Sequence, residues 1–288
     1  MHRKKAVGAH AAVSRHTMGK RMGKGEDAMA IKPFAVLGTD GRMKAAAAVL
    51  RQAGYHTNGT AGAPRLLLPV PLTEDTPGYQ ELLRSAPAGT LAFGGAVSPG
   101  AAQMAVDAGV TLLDYYTREE LVWLNAIPTA EGCIALLMQR RRRTVWGSRL
   151  LITGFGRVAI QTARCAAALG ADVVVIARNA GQRAAAQASG YAAFGLEELA
   201  RQAARCDAAV NTVPALLFDS SVLRAMRPGT LLLDLAGGSG GVDWEAARCA
   251  GVQAEWARGL PGKCAPDTAG EFVGRAVLSM LQERGEQP

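Results

Sequence analysis

The chain of 288 residues is long enough for about two domains. With 49% hydrophobic and 19% charged residues it can bury a sizeable core, which excludes disorder over most of its length. No uninterrupted apolar run approaches the ~20 residues of a membrane-spanning helix, so no membrane association is expected. The five cysteines (Cys133, Cys165, Cys206, Cys249 and Cys264) are scattered and form no C-x-x-C pair. That argues against a disulfide framework or a metal site and for a soluble protein of a reducing cytosol. The net charge of +8 is unevenly spread: residues 1–29 hold seven Lys/Arg and two acids, and the remaining residues hold 25 and 22. The tail lacks the apolar stretch of a secretory signal and reads as a disordered extension, or as the product of a start upstream of Met29. A nucleic-acid or membrane-surface arm is the alternative, and neither partner is expected.

The first predicted strand, Phe34–Gly38, leads into an alanine-rich helix over Arg42–Ala53. Further apolar strands are read at Leu66–Val70, Thr90–Gly94 and Val110–Asp114, with a helix from Pro99 to about Ala108. Apolar runs alternating with helices predict a parallel, doubly wound sheet. Residues 30–143 are taken as an amino-terminal α/β domain on the substrate side, ending in a connecting helix. Between Thr117 and Arg143 the pattern is helical, but Pro128 predicts a short helix, a break and a second helix beginning at the proline. The run Arg140–Arg143 then closes that helix, where cations meet the negative end of its dipole.

A second strand–helix series starts at Ser148, with strands at Arg149–Thr153, Asp172–Ala177, Ala208–Thr212, Thr230–Leu235 and Val252–Trp256. Residues 144–267 are expected to form a Rossmann domain. A last helix, Thr268–Glu283, carries Phe272, Val273, Ala276, Val277, Met280 and Leu281 at helical spacing. Residues 268–288 are expected to return to the first domain. The fold class is thus α/β, with two doubly wound parallel-sheet domains joined by long helices.

Gly154-Phe-Gly156-Arg-Val-Ala159 follows the strand Arg149–Thr153 and opens a helix. In such a G-x-G-x-x-A run the first glycine makes the tight turn. The second lets the backbone approach a pyrophosphate, and the alanine allows close helix–sheet packing. Gly154, Phe155, Gly156, Arg157 and Val158 are therefore candidates for diphosphate binding, helped by the helix amino terminus. The second strand ends in Ala177-Arg178-Asn179, with Arg183 nearby, where an NAD site would place an acidic residue. A guanidinium there suits a 2′-phosphate, so Arg178, Asn179 and Arg183 predict NADP, with NAD as the alternative. Asn211-Thr-Val-Pro214 ends the fourth-strand run, and Thr212, Val213 and Pro214 are expected along the ribose and nicotinamide. The loops Asp234–Gly241 and Gly259–Pro266 should supply the other walls. His56 is the one histidine outside the tail and sits in a Gly/Asn-rich loop. That argues against a 2-hydroxy-acid dehydrogenase, which needs a base beside the carbinol.

Asn125-Ala-Ile-Pro-Thr-Ala-Glu-Gly132, Gly147-Ser148 and the Gly154 fingerprint combine with Asn211–Pro214, Leu233–Ala236 and Gly259–Gly270. Together with Gly38-Thr-Asp-Gly-Arg42, these runs closely resemble the dipicolinate synthase A-subunit family of endospore-forming bacteria, over roughly residues 33–284. A run of glycines, Gly237-Gly-Ser-Gly-Gly241, stands where that family usually has a proline before paired glycines, which predicts a more flexible loop. The resemblance implies NADP-dependent oxidation of dihydrodipicolinate, or of its 4-hydroxy-tetrahydro precursor, to pyridine-2,6-dicarboxylate. It implies a branch from the lysine pathway during sporulation, in the mother-cell cytoplasm, with the flavoprotein-like B-subunit of dipicolinate synthase as partner; a homo-oligomer is also expected. Ser98, Asn125 and Thr129 are the candidates for the small dicarboxylate substrate, and Glu131 and Lys263 for catalysis. For Asn125 and Thr129 the alternative is helix capping around Pro128. Two other functions stay open: a non-catalytic nucleotide-binding partner of the B-subunit, and an oxidoreductase like alanine or hydroxy-acid dehydrogenases.

Overall fold

Residues 33–288 are described by a computed structural model; the basic tail lies outside them. The first part of the chain runs β1 (Phe34–Val36), α1 (Gly41–Gln52), β2 (Arg65–Leu67), α2 (Tyr79–Ser85), β3 (Leu91–Gly94), α3 (Pro99–Asp107) and β4 (Thr111–Asp114). These strands form a parallel sheet in the order β1-β2-β3-β4. Side chains alternate across the pleat, so both faces are covered. Phe34, Leu67 and Phe93 pack with Met43, Ala46 and Leu50 of α1 on one face. Ala35, Leu66 and Ala92 pack with Tyr79, Leu83, Ala101 and Ala105 from α2 and α3 on the other.

A long helix follows, α4 (Glu119–Arg140), and it corrects the reading at Pro128. There is no break: the proline lies buried inside one continuous 22-residue helix. Proline removes one N–H from the ladder, a cost of ~3 kcal/mol in a helix interior. Burial of Leu121, Ala126, Ala130, Cys133, Ile134 and Leu137 on the same helix offsets that cost. By length and composition α4 is also apolar enough to cross a membrane, although Asn125, Thr129 and Glu131 interrupt its apolar run. Its apolar residues are instead shared with the protein's cores: Leu121 with that of the first sheet, and Cys133, Ile134 and Leu137 with that of the second.

The second series comprises β5 (Arg149–Thr153), α5 (Arg157–Ala168), β6 (Asp172–Ile176), α6 (Ala180–Ala188), β7 (Ala192–Phe194), α7 (Leu199–Ala203) and β8 (Ala208–Asn211). It continues through α8 (Ser220–Ala225), β9 (Leu231–Asp234), α9 (Trp244–Cys249), β10 (Gln253–Trp256), α10 (Leu260–Cys264) and α11 (Pro266–Glu283). The sheet is parallel, in the order β10-β9-β8-β5-β6-β7. Strand β7 is additional to the strands the sequence predicts; its Ala-Ala-Phe is too short to give a periodic signal. The segment read as a loop after β10 contains α10, a single turn with proline near its start. Leu150 and Ile152 face one core, with Val173, Val175 and Ala159, while Leu151 faces the other with Val174 and Phe218. The chain order reverses at β5, which has β6 on one side and β8 on the other. The carboxyl ends of these three strands therefore flank a topological switch point.

Helix α11 lays Val273, Ala276, Val277, Met280 and Leu281 into the core of the first sheet. A side chain at Gly270 would collide with α1, at 2.2 Å from the Arg42 carbonyl oxygen, so α1 and α11 cross at backbone distance. Arg118 reinforces this arrangement through a two-pronged ion pair with Glu283.

Candidate nucleotide site and interdomain crevice

The switch point opens into a cleft of about 550 Å³ lined by Gly154, Phe155, Gly156, Ile176–Asn179, Gln182, Leu196, Thr212–Ala215 and Leu217. Gly154 has φ +81°, a conformation reserved in practice for glycine, and a Cβ there would meet Thr212 Oγ1 at 2.8 Å. At Gly156, the amino-terminal flank of α5, an added Cβ would meet nothing within 4 Å, and no side chain caps the helix. The first-turn N–H groups of α5 and its dipole thus point into an open cradle, which fits a diphosphate.

Under the other half of the cleft, three adjacent strands end in polar residues that are register partners: Thr153, Asn211 and Asp234. All three are fully buried and bonded together. Thr153 Oγ1 donates to Asn211 Oδ1, which also accepts the Val213 N–H at 3.1 Å. Asn211 Nδ2 donates to Asp234 Oδ1 at 2.8 Å and to the Val213 carbonyl at 3.0 Å. The Asp234 carboxylate also accepts the N–H groups of Ala236 at 3.0 Å and Gly241 at 2.7 Å. The glycine run 237–241 is thereby anchored at its end. Arg258 donates to the Gly238 carbonyl while stacking over Trp256, whose Nε1 donates to Ala236 O at 3.2 Å. Thr212 Oγ1 donates to the Thr153 carbonyl at 2.7 Å, which fixes the turn into Val213 and Pro214.

Several candidates have local duties. Arg178 is exposed on the cleft wall. Asn179 Oδ1 caps α6 by accepting from Gly181 and Gln182 N–H. Arg183 does not line the cleft; its Nη1 donates to the Ala177 and Arg178 carbonyls at 2.9 and 2.7 Å and so fixes the loop carrying Arg178. The Arg157 side chain turns away from the diphosphate cradle. It pairs with Glu119 at the start of α4 and lies 6.0 Å from the centre of the Trp123 ring. This leaves the cradle to backbone donors of Arg157 and Val158.

The other side-chain candidates fall into two groups. Asn125 and Thr129 share a face of α4, where Thr129 Oγ1 donates to the Asn125 carbonyl and Asn125 Nδ2 donates to Tyr116 Oη at 2.8 Å. Capping is therefore not their role, because the helix does not stop there. Glu131 lies about a third of a turn round α4 from Asn125. It is exposed, and its charge is felt by Cys165 of α5, so the structure does not bring it to the Asn125 face. Ser98 caps α3 by accepting from Ala101 N–H, and it donates to Glu74, whose carboxyl this bond holds below the usual range. Lys263 is exposed on α10, and its neighbour Gly262 lies against the guanidinium of Arg42. Arg42 is not among the sequence candidates, although its run, Gly38–Arg42, is a visible signal. Arg140–Arg143 lie elsewhere, around a second cleft with Arg227, Thr230 and Gln253, near the amino ends of β9 and β10.

A parallel six-stranded sheet with an uncapped helix behind a G-x-G turn at its switch point defines a dinucleotide-binding domain of the kind oxidoreductases use. The family model of the NAD-binding domain of D-isomer-specific 2-hydroxyacid dehydrogenases matches residues 131–249. The dipicolinate synthase A-subunit of Bacillus subtilis (strain 168) is 36% identical over 204 residues, which cover 71% of this chain and 69% of that protein. The chain belongs to the dipicolinate synthase A-subunit family. The solved structure of the A-subunit from Bacillus halodurans superposes with a TM-score of 0.79 at 27% identity, covering 87% of this chain and 97% of the other. The corresponding Bacillus subtilis structure gives 0.77 at 29% identity, covering 88% and 96%.

Proposed function

We propose that the chain is the NADP-dependent component that oxidises dihydrodipicolinate, or its 4-hydroxy-tetrahydro precursor with loss of water, to pyridine-2,6-dicarboxylate in the cytoplasm of a sporulating cell. The reading rests on family membership and is carried structurally by the open amino terminus of α5 beside the exposed Arg178. Backbone N–H groups of Gly156, Arg157 and Val158 hold the diphosphate, and Arg178 pairs with the 2′-phosphate. Arg183 and Asn179 position Arg178 by ordering the strand end and the start of α6. Thr212, Val213 and Pro214, kept in place by the Thr153–Asn211–Asp234 network, line the ribose and nicotinamide path. The cofactor, when bound, accepts a hydride.

The substrate lies in the crevice between residues 30–143 and 144–267, beside Asn125 and Thr129. Loss of hydride and a proton from a dihydropyridine gives an aromatic ring, so the chemistry needs less help than alcohol oxidation. Water, or a modest base at the site, takes the proton. His56 is exposed and lies beyond α1, which weighs against a histidine-based hydroxy-acid mechanism. The flavoprotein-like B-subunit completes the enzyme or channels its product.

Freshly generated dihydrodipicolinate and NADP+ should yield NADPH and dipicolinate with this chain alone. NADP+ binding without turnover, with turnover restored only by a catalytically competent B-subunit, would instead establish a non-catalytic nucleotide-binding partner.

A further inference from the structure

Arg42, the second residue of α1, stands at the carboxyl end of the first sheet and faces the second half of the chain. Its side chain is one-fifth exposed (20%). Its guanidinium lies against α10: a Cβ on Gly262 would stand 2.8 Å from Nε and 2.9 Å from Cζ. Nη2 donates to the Val70 carbonyl at 3.0 Å and reaches Asp40 at 3.4 Å. Among the described residues Nε and Nη1 have no partner, so donors of a permanent cation remain unused beside α10.

The groups around it that remain unspent are donors, while its carboxylate neighbours are engaged elsewhere. The charge of Arg42 is felt by the hydroxyls of Tyr115 and Tyr116. Tyr115 spends its proton on the Leu68 carbonyl at 2.9 Å. Tyr116 Oη instead accepts from Asn125 Nδ2 at 2.8 Å, and its own proton has no acceptor among the described residues. Burial pushes the Tyr116 phenol up, which keeps that proton in place. The nearby carboxylates are already engaged. Asp40 caps α1 at Met43 N–H, and Asp114 accepts from the N–H groups of Ala96, Val97 and Tyr116.

A part-buried cluster with unspent N–H donors on a permanent cation and an unspent phenol O–H complements a carboxylate. We propose that Arg42, with the Tyr116 hydroxyl oriented by Asn125, binds one carboxylate of the substrate. The assignment rests on the dicarboxylate reading above and adds the residues that select for it. Arginine suits the task because its planar fork offers two parallel N–H groups to one carboxylate.

The test uses the full chain with NADP+ present, titrated calorimetrically with pyridine-2,6-dicarboxylate. The Arg42→Ala variant should bind the dicarboxylate ~10- to 100-fold more weakly, the range of one charge-assisted contact, while NADP+ affinity stays within error. Tyr116→Phe should weaken the dicarboxylate by a smaller factor. Arg42→Gln keeps an N–H for the Val70 carbonyl but not the charge, so it carries the comparison if the alanine variant does not fold. Unchanged dicarboxylate affinity in folded Arg42 variants overturns the assignment and leaves the functional reading standing. A wild-type protein that binds NADP+ but no dicarboxylate overturns that reading, and the assignment with it.

Discussion

Asn211 and Asp234 are register partners at the ends of β8 and β9, and their side chains bond to each other at 2.8 Å beneath the nucleotide cleft. The pair ties two strand ends to the glycine run that follows β9, because the same carboxylate receives the Gly241 N–H. Neither side chain lines the cleft, so they act through what they hold.

Replacing Asp234 with alanine therefore strands three buried donors at once, those of Asn211, Ala236 and Gly241. Each donor left without a partner costs ~1–3 kcal/mol. Urea denaturation should show a loss of at least that size. NADP+ affinity should fall in whatever fraction remains folded, since Val213 loses its anchored support. Stability equal to wild type would mean that waters replace the carboxylate without cost.

The proposed preference for NADP rests on Arg178, exposed on the cleft wall. Arg178→Asp should weaken NADP+ binding more than NAD+ binding and lower the preference by roughly 10- to 100-fold, because one charge-assisted hydrogen bond is worth ~1.5–3 kcal/mol. Parallel fluorescence titrations with the two nucleotides measure the ratio directly. An equal loss for both would remove Arg178 from the 2′-phosphate.

How far the sequence anticipates these features depends on the range of the interactions involved. The Gly154–Ala159 turn is local, and its strand, turn and helix follow in order within one short segment, so it is legible without a structure. The apolar face of α11 is also legible, since Val273, Ala276, Val277 and Leu281 recur at helical spacing, but its partner α1 lies more than 200 residues away in sequence. Pro128 misleads because propensity predicts a break, whereas the cost of one missing N–H is small beside the apolar face that α4 buries. Arg157 and Arg183 have the right residue type and position for phosphate binding. Only the fold reveals that Glu119 and two backbone carbonyls engage them. Arg42 carries no local sign of its depth, because the residues enclosing it come from α10 and the ends of β2 and β4.

The protein should lose stability in alkali through groups that are buried with their protons. Tyr79 donates to the Ala101 carbonyl at 2.9 Å, and burial pushes its phenol up to about 12. Burial likewise pushes the Cys206 thiol up to about 12, against the opposing pull of the Arg227 charge. In the unfolded chain these groups ionise near ~10 and ~8.5. The folded state therefore holds its protons more tightly, and this contribution is fully present below about pH 8.5 and lost as the pH rises toward about 12. The urea midpoint should fall across that window. Tyr79→Phe should flatten the part above about pH 10, and Cys206→Ala the part that begins lower. Profiles parallel to wild type in both variants would place the alkaline sensitivity elsewhere.

The last residues of the chain fasten the amino end of the first sheet. Arg65 opens β2 with a side chain only 2% exposed, and its guanidinium pairs with the Glu286 carboxylate and donates to the Gln287 carbonyl at 2.8 Å. Tyr55 Oη donates to the Glu286 carbonyl at 3.1 Å, and the Tyr55 ring lies 5.1 Å from Arg65 Cζ. Removing residues 286–288 would leave a desolvated cation with part of its hydrogen bonding gone, which costs ~1.5–3 kcal/mol for a bond to a charged group. The melting temperature should drop accordingly, and the drop should be insensitive to added salt because the pair is shielded from solvent ions. Replacing Arg65 with methionine in the truncated chain should recover part of the loss, since an apolar side chain there needs no partner. NADP+ affinity should be unchanged throughout, because the latch lies at the opposite end of its sheet from the crevice. A truncated chain that melts with the full-length protein would show that other contacts carry the whole burden of Arg65.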